Sequence, residues 1–449
     1  MKKRKIFLII AIMLIFALVL SACGNNDPAA PAATAPAATA PAATDDSAGD
    51  EAVDVIEIEF VHFLDNPFVE EMTMHFAMFA EENPGYRIVP ESFTGEAGLA
   101  ALNVRIASGN APDMWLTTSF GPGLAEFIDV AVDLSSADIW GNVSEAAQAD
   151  VTYDGKKLAF PFNSNVYGLL YNVDVMNSIG VTEMPTTLSG LIALCEQLVA
   201  AGITPFALGF QDDWVGHQFF TWPMAFPFGD SISTQARVNE YFAGNAIPSE
   251  DGWPGKLVDM MQVVKDFNSP NPFSIDWPMM CQMLADGEVA MIIQGDWSES
   301  MGRNFNPDTN IAMALLPFSE DPADARIFVA SAGRSILVSN DADPAVQEGA
   351  FTYFRWTSGA PSSINWYNQY FQNIAPFYGV MPEGNEVQIL SSAAALIAAN
   401  PDAVSPWTGE LLPPGFFMLH PGTQEKFFAG EIDRDDVIRI IDTLFAQFQ

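Results

Sequence analysis

Val55–Phe63 reads VIEIEFVHF, with apolar and polar side chains alternating closely enough to give a strand one buried face. Asn66-Pro67 follows, and an N-cap residue before a first-position proline predicts the start of a helix. Phe68, Met72, Phe76 and Phe79 would line one side of that helix, and Pro84-Gly85 would end it. Further strands are predicted at Tyr86–Pro90 and Asp113–Thr117, with a helix at Leu99–Ala107 between them. Strand and helix alternating in this way predict an α/β chain with a mainly parallel sheet.

The same rhythm restarts after the turn at Asp154-Gly155. Strands are predicted at Val166–Tyr171, Pro205–Leu208, Val289–Gln294, Ile311–Leu315 and Arg334–Val338. Helices are predicted at Leu188–Ala200, His217–Ala225, Pro254–Phe267, Met279–Asp286, Pro344–Thr357 and Ser362–Tyr370, and the chain ends in another at Asp433–Phe448. From Val53 onward the chain is too long for one ordinary core, so two lobes are expected.

Upstream the composition changes. Lys2-Lys3-Arg4-Lys5 is basic, Ile6–Leu20 is apolar without a break, and Ser21-Ala22 stand directly before Cys23. This is the layout of an export signal with a small-residue processing site. The apolar run is short against the roughly 20 residues of a membrane span. Pro-Ala-Ala-Thr units then recur through Pro28–Thr44, an extended spacer that can bury no face.

The formal charge is −38, from 56 acids against 18 bases. If the four bases at positions 2–5 leave with the signal, 14 remain and the charge becomes −42. Such a surface repels nucleic acid and anionic lipid headgroups, so neither is an expected partner. Cys195 and Cys281 sit inside apolar helical patterns, and two buried free thiols are expected there.

No GxxxxGK[ST], GxGxxG or GxSxG stretch is present, so neither a phosphate cradle nor a nucleophile elbow is signalled. The histidines at 62, 75, 217 and 420 are scattered, without metal-ligand spacing, and no cofactor or metal is expected. What the chain has in excess is aromatic side chains near turns. Gln218-Phe219-Phe220-Thr221-Trp222-Pro223 opens a helix, Gly295-Asp296-Trp297-Ser298 follows a strand, and Trp407 and Gly415-Phe416-Phe417 come late. Indole prefers a partly polar setting, and an aromatic face beside polar groups suits a sugar ring.

Five segments, taken in order, resemble bacterial extracellular solute-binding proteins of the carbohydrate (maltodextrin-binding-like, family 1) type. They are ASGNAPDM at Ala107–Met114, YDGKKLAFPF at Tyr153–Phe162 running on to Leu170-Tyr171-Asn172, FFTWP at Phe219–Pro223, LADGEVAMIIQGDW at Leu284–Trp297, and FAGEID at Phe428–Asp433. Leu20–Cys23 resembles a bacterial lipobox, which implies that Cys23 becomes the lipid-bearing first residue on the outer face of the cell membrane.

The resemblance implies a two-lobed periplasmic-binding-protein-like fold with a hinge and a central ligand cleft. It implies binding without catalysis, as a monomer that delivers its ligand to the permease of an ABC importer. Lobe one is expected at 53–163 plus 328–372, and lobe two at 164–327 plus 376–449. The implied cleft residues are His62, Phe63 and Asp65 at the end of the first strand, then Thr117, Thr118 and Ser119 after the third, with Asp113 ordering that loop. Asn163 and Asn165 follow Pro161-Phe162; His217, Gln218, Phe219 and Trp222 come from the FFTWP region; Asp296 and Trp297 from the Gly-Asp-Trp turn; Phe416 or Phe417 would close the site. The loop after the third strand lacks the Trp and Asp of a maltodextrin receptor, and Asn165 replaces an acid, which argues against maltose.

A neutral sugar or oligosaccharide is the expected ligand. The acidic excess leaves a polyamine open in the same fold, and a peptide or glycerophosphodiester are further alternatives. Aromatics with carboxylates would also suit a secreted glycoside hydrolase, but no carboxylate pair stands at matched strand ends. Strand–helix alternation argues against a structural adhesin.

Overall fold

The computed structural model describes residues 55–64, 68–93, 95–118, 121–221, 231–369, 371, 374–378, 380, 388–407, 412 and 422–449. Its strands in chain order are β1 (Ile56–His62), β2 (Tyr86–Ser92), β3 (Met114–Thr117), β4 (Thr152–Tyr153), β5 (Lys156–Lys157), β6 (Phe160–Asn172), β7 (Thr204–Phe206), β8 (Val289–Gly295), β9 (Ile311–Ala314), β10 (Ile327–Val338) and β11 (Val404–Pro406). The main sheet runs β2-β1-β3-β10-β6-β8-β7, with β11 beside β10 and β9 beside β6.

The sheet divides into two halves joined by its two long central strands. The far end of β10 pairs with β3, from Ser335↔Thr117 to Val338↔Met114, and β3, β1 and β2 then follow in parallel. The far end of β6 pairs instead with β8, from Tyr167↔Gly295 to Tyr171↔Met291, and β7 lies parallel to β8. Between the halves, β6 and β10 pair antiparallel with each other, and the register breaks between Ala330 and Arg334 and again between Arg334 and Ser335. Pro90 is tolerated in β2 because that strand is the sheet edge, where a missing N–H costs no ladder bond.

The expected strands and helices are present within a few residues, but the expected pairing needs correcting. The main path of the sheet is parallel only in its outer parts, because β6 and β10 run antiparallel to each other, to β3 and to β8, although β11 lies parallel to β10. β6 and β10 are also longer than the expected Val166–Tyr171 and Arg334–Val338. Asn163, Asn165 and Arg334 interrupt their apolar runs, yet the two asparagines are buried and held by other protein groups. A period-2 reading cannot see polar residues that face inward.

Apolar helix faces cover the sheet as the sequence suggests. Phe68, Met72, Phe76 and Phe79 are buried, and in the helix Leu188–Ala200 so are Leu191, Leu194, Cys195 and Leu198. Thr187 caps that helix by accepting a hydrogen bond from Gly190 N–H at 3.2 Å. Cys195 and Cys281 are both buried and unpaired. The helices Ser231–Phe242 and Trp297–Phe305 were not expected; the Gly295-Asp296 pair had read as a simple turn. The expected helix at His217–Ala225 is Asp213–Thr221, and residues 222–225 lie outside the described set.

Glu299, in the helix Trp297–Phe305, is fully buried and joins that helix to a second one. Its carboxylate accepts from Arg303 at 2.7 and 2.9 Å and from the N–H groups of Gln388 and Ile389 at 2.9 and 2.8 Å. The last two are orphan donors at the start of the helix Gln388–Ala399, where a negative charge is also favoured by the helix dipole. Glu299→Ala is therefore expected to cost about 3–5 kcal/mol, as for one partner lost from a buried pair. Arg303→Ala should cost clearly less, since the helix N–H groups would still hold the carboxylate. Urea unfolding of the two variants checks this, and equal small losses would remove Glu299 from the role.

Candidate functional site

The parallel strands of both half-sheets point their carboxyl ends at the β6–β10 crossover. β1 and β3 end at His62 and Thr117, and Thr117 pairs with Ser335 beside the register break. From the other side β8 ends at Gly295, opposite Tyr167. In open α/β sheets the crevice outside strand carboxyl ends is where ligands are held, because loops and helix starts converge there.

The break in register would strand backbone groups if side chains did not meet them. Asp150 accepts from Ala332 N–H at 3.1 Å, and the Ser164 hydroxyl donates to the Ser331 carbonyl at 2.7 Å. A third stretch of chain joins here, with Ser164 N–H donating to the Ile374 carbonyl at 2.7 Å.

Around the break lies a buried polar set. Asp296 accepts through one oxygen, Oδ1, from Asn165 Nδ2 at 3.1 Å and from Val166 N–H at 3.0 Å. Its other oxygen, Oδ2, is shielded from solvent and accepts nothing. Burial pushes this carboxyl up to about 7, against the pull of those hydrogen bonds and of the Arg334 charge. Gln294 donates to Gln218 at 3.0 Å, so an amide pair lies next in the strand. Gly333 lets Asn165 lie against the β10 backbone, since a Cβ there would fall 1.8 Å from Asn165 Oδ1.

An aromatic cluster adjoins the polar set. Trp297 stacks on Trp407 with centroids 5.9 Å apart and also contacts Tyr167 and Trp214. Its indole lies directly over Gly295, where a Cβ would come within 2.1 Å of the ring. Trp297 is only 6% exposed. Implied as a cleft residue, it is not an open indole here: three aromatic neighbours enclose it, and its removal would leave a cavity. Its Nε1–H is shielded and makes no hydrogen bond.

The other expected residues fall as follows. His62 is buried, its Nδ1 accepts from Leu64 N–H at 3.3 Å, and burial lowers its pKa. Phe63 is half-buried, Thr117 is buried and Thr118 is exposed. Asp113 accepts from Glu59 N–H at 2.9 Å and so ties the third-strand loop back to β1. His217 and Phe219 lie on the helix Asp213–Thr221, with side chains that are not described. Asp65, Ser119, Trp222, Phe416, Phe417 and Cys23 lie outside the described residues.

Sequence reasoning missed Glu71, Arg334, Gln294 and Trp214. A signal existed for Arg334 and Gln294: Arg334 is the one charged residue of β10, and Gln294 the one polar side chain of β8. Glu71 read as an ordinary acid in the first turn of a helix, and nothing local sets it apart. Among the described residues no group of three His, Cys, Asp or Glu is placed to hold a metal.

The raised pKa of Asp296 makes a signed prediction. A carboxyl with a higher pKa folded than unfolded holds its proton more tightly in the fold, so stability is lost as pH rises from about 4 through 7. Asp296→Asn keeps the Oδ1 acceptor and removes the titration. Its stability relative to the parent should grow from pH 5 to pH 8 by about 2–3 kcal/mol, at 1.36 kcal/mol per unit. Parallel melting curves across that range would contradict the burial of an ionisable carboxyl here.

Residues 75–396, more than half of the chain, match the family described as bacterial extracellular solute-binding protein. A probable sugar-binding periplasmic protein of Mesorhizobium japonicum is 26% identical over 269 residues, 55% of this chain and 60% of that one. The sn-glycerol-3-phosphate-binding periplasmic protein of Escherichia coli is 23% identical over 333 residues, 70% of this chain and 73% of that one. The chain thus spans only 55–60% of the length of some curated relatives, the Mesorhizobium protein among them. Among solved structures, the solute-binding protein RafE in complex with raffinose superposes with a TM-score of 0.71 at 19% identity, over 88% of this chain and 100% of that one. The architecture is that of two-lobed solute-binding proteins, and the chain belongs to the bacterial extracellular solute-binding protein family.

Proposed function

We propose that this chain is the receptor of an ABC importer for a neutral sugar or oligosaccharide, held between two lobes at the β6–β10 crossover. The observation that carries the reading is the pairing of uncharged hydrogen-bonding side chains (Asn163, Asn165, Gln218, Gln294) with the Trp297–Trp407 stack at converging strand ends. Amides both donate and accept, which matches hydroxyls, and indole matches the apolar face of a sugar ring. Raffinose in the RafE complex agrees with this ligand class. The lobes would be 53–163 plus 328–372 and 164–327 plus 376–449, with His62, Thr117, Asn163, Asn165 and Asp296 facing the cleft and the enclosed Trp297 backing the half-buried Trp407. No reaction is needed: binding energy is used to close the lobes, as in other hinge-bending receptors.

The signal-like run ending at Cys23 supports a lipid anchor that keeps the receptor at the outer face of the membrane, beside its permease. A second reading, a glycerophosphodiester receptor, is favoured by one residue: Arg334 brings a positive charge to the crossover.

A thermal-shift panel separates the two. Raffinose, stachyose and oligosaccharides from xylan and chitin are the neutral arm; sn-glycerol 3-phosphate and spermidine are the charged arm. A neutral ligand at 100 times its Kd should add about 2.7 kcal/mol to stability, and the charged solutes nothing. Stabilisation by the charged arm alone would overturn the sugar reading. For the anchor, Cys23→Ala is expected to abolish acylation in the native host. Acyl chains still found on the N-terminus of that variant by mass spectrometry would contradict it.

A further inference from the structure

Three charged side chains at the crossover have hydrogen-bonding capacity that the protein itself does not use. Asp296 is fully buried, with Oδ1 engaged and Oδ2 unused. Glu71, on the first turn of the helix Phe68–Glu82, has its Oε2 shielded and equally unused. Arg334 sits in the register break of β10, its guanidinium 4.6 Å from the centre of the Phe68 ring and its Nη1 shielded without an acceptor. The guanidinium charge acts on both carboxyls, and theirs on it. Yet none of the ion pairs among the described residues joins Arg334 to a carboxylate. The three are neighbours without being a salt bridge.

Burial holds each of them away from its charged form. Glu71 and Asp296 are both pushed up to about 7 and Arg334 down to about 10, with desolvation the leading cause in every case. A buried donor or acceptor left unmet costs about 1–3 kcal/mol, and more when charged. The arrangement therefore favours a ligand that brings donors and acceptors together.

We propose that Arg334, Glu71 and Asp296 are the specificity-determining set of this cleft, and that they read a neutral sugar edge carrying neighbouring hydroxyls. The proposal rests on the sugar-receptor reading above. One hydroxyl accepts from Arg334 Nη1 while donating to Asp296 Oδ2; its neighbour donates to Glu71 Oε2. An anionic group at the same place gains one guanidinium but meets two carboxylates. A cationic group gains the carboxylates but must approach Arg334. Only an uncharged donor–acceptor meets all three without a like-charge contact. The set draws on the helix after β1, on β10 and on the end of β8, so it is complete only when these elements are brought together.

Isothermal titration calorimetry on the full folded receptor tests this, using whichever of raffinose, stachyose and the xylan or chitin oligosaccharides binds most tightly. Arg334→Gln should weaken that sugar at least tenfold while leaving the melting temperature within a few degrees, since a half-buried charge without an ion pair adds little to the fold. Glu71→Gln with Asp296→Asn should also weaken the sugar, and should raise affinity for sn-glycerol 3-phosphate at least tenfold by leaving Arg334 as the only charge. A purely structural role would lower melting temperature and would not move the neutral-to-anion preference. Sugar binding by the parent together with unchanged affinity in Arg334→Gln would overturn the set but leave the sugar reading standing. No binding of any neutral sugar by the parent would overturn both.

Discussion

The candidate site depends on the antiparallel pairing of β6 with β10. Among the described residues, the main sheet passes from one half to the other through the pairing of these two strands. The pairing holds from Phe328↔Tyr167 to Ala330↔Asn165, breaks, returns at Arg334↔Asn163, and shifts again before Ser335↔Pro161. A continuous ladder across the junction would make the halves one stiff sheet. The break lets each strand belong firmly to both halves at its ends and weakly to either in the middle. A connection of this kind can bend with few lost hydrogen bonds, which is how closure in two-lobed receptors comes about.

The break also explains why polar residues can sit in the centre of buried strands. Where the ladder is interrupted, Ser164 and Asp150 satisfy the exposed backbone groups, and Gly333 leaves room for Asn165 to approach. Asn165 then orients the Asp296 carboxyl together with Val166 N–H, while Asp296 N–H donates back to the Val166 carbonyl. On the far side, Glu299 fixes the helix that begins with Trp297, and Gly295 gives the indole its seat. Polar set and aromatic stack are thus positioned by backbone features, and neither depends on a flexible surface loop among the described residues.

The outer parts of the fold were legible because their chemistry is local. Phe68, Met72, Phe76 and Phe79 recur at helical spacing, and Pro84-Gly85 can do little except end a helix. The middle was less legible for the opposite reason. In β6 and β10 the side chains at 163, 165 and 334 face partners distant in sequence, and no alternation survives when both faces of a strand are covered. The candidate site followed the same division. Asn163, Asn165, Asp296 and Trp297 were named because the segments that carry them resemble the solute-binding family. Glu71 was not, because its meaning comes from Arg334, more than 250 positions away. Trp297 was named but its burial was not foreseen, since spacing does not say that Tyr167, Trp214 and Trp407 close around it.

The central claim is that a solute bound at the crossover draws the two halves together. Small-angle X-ray scattering of the monodisperse receptor, with and without a saturating neutral oligosaccharide, tests it most directly. Hinge closure at the β6–β10 break predicts a smaller radius of gyration in the bound state, with each half unchanged in its own scattering profile. An unchanged radius at full occupancy would mean that the ligand sits elsewhere or that the break does not act as a hinge.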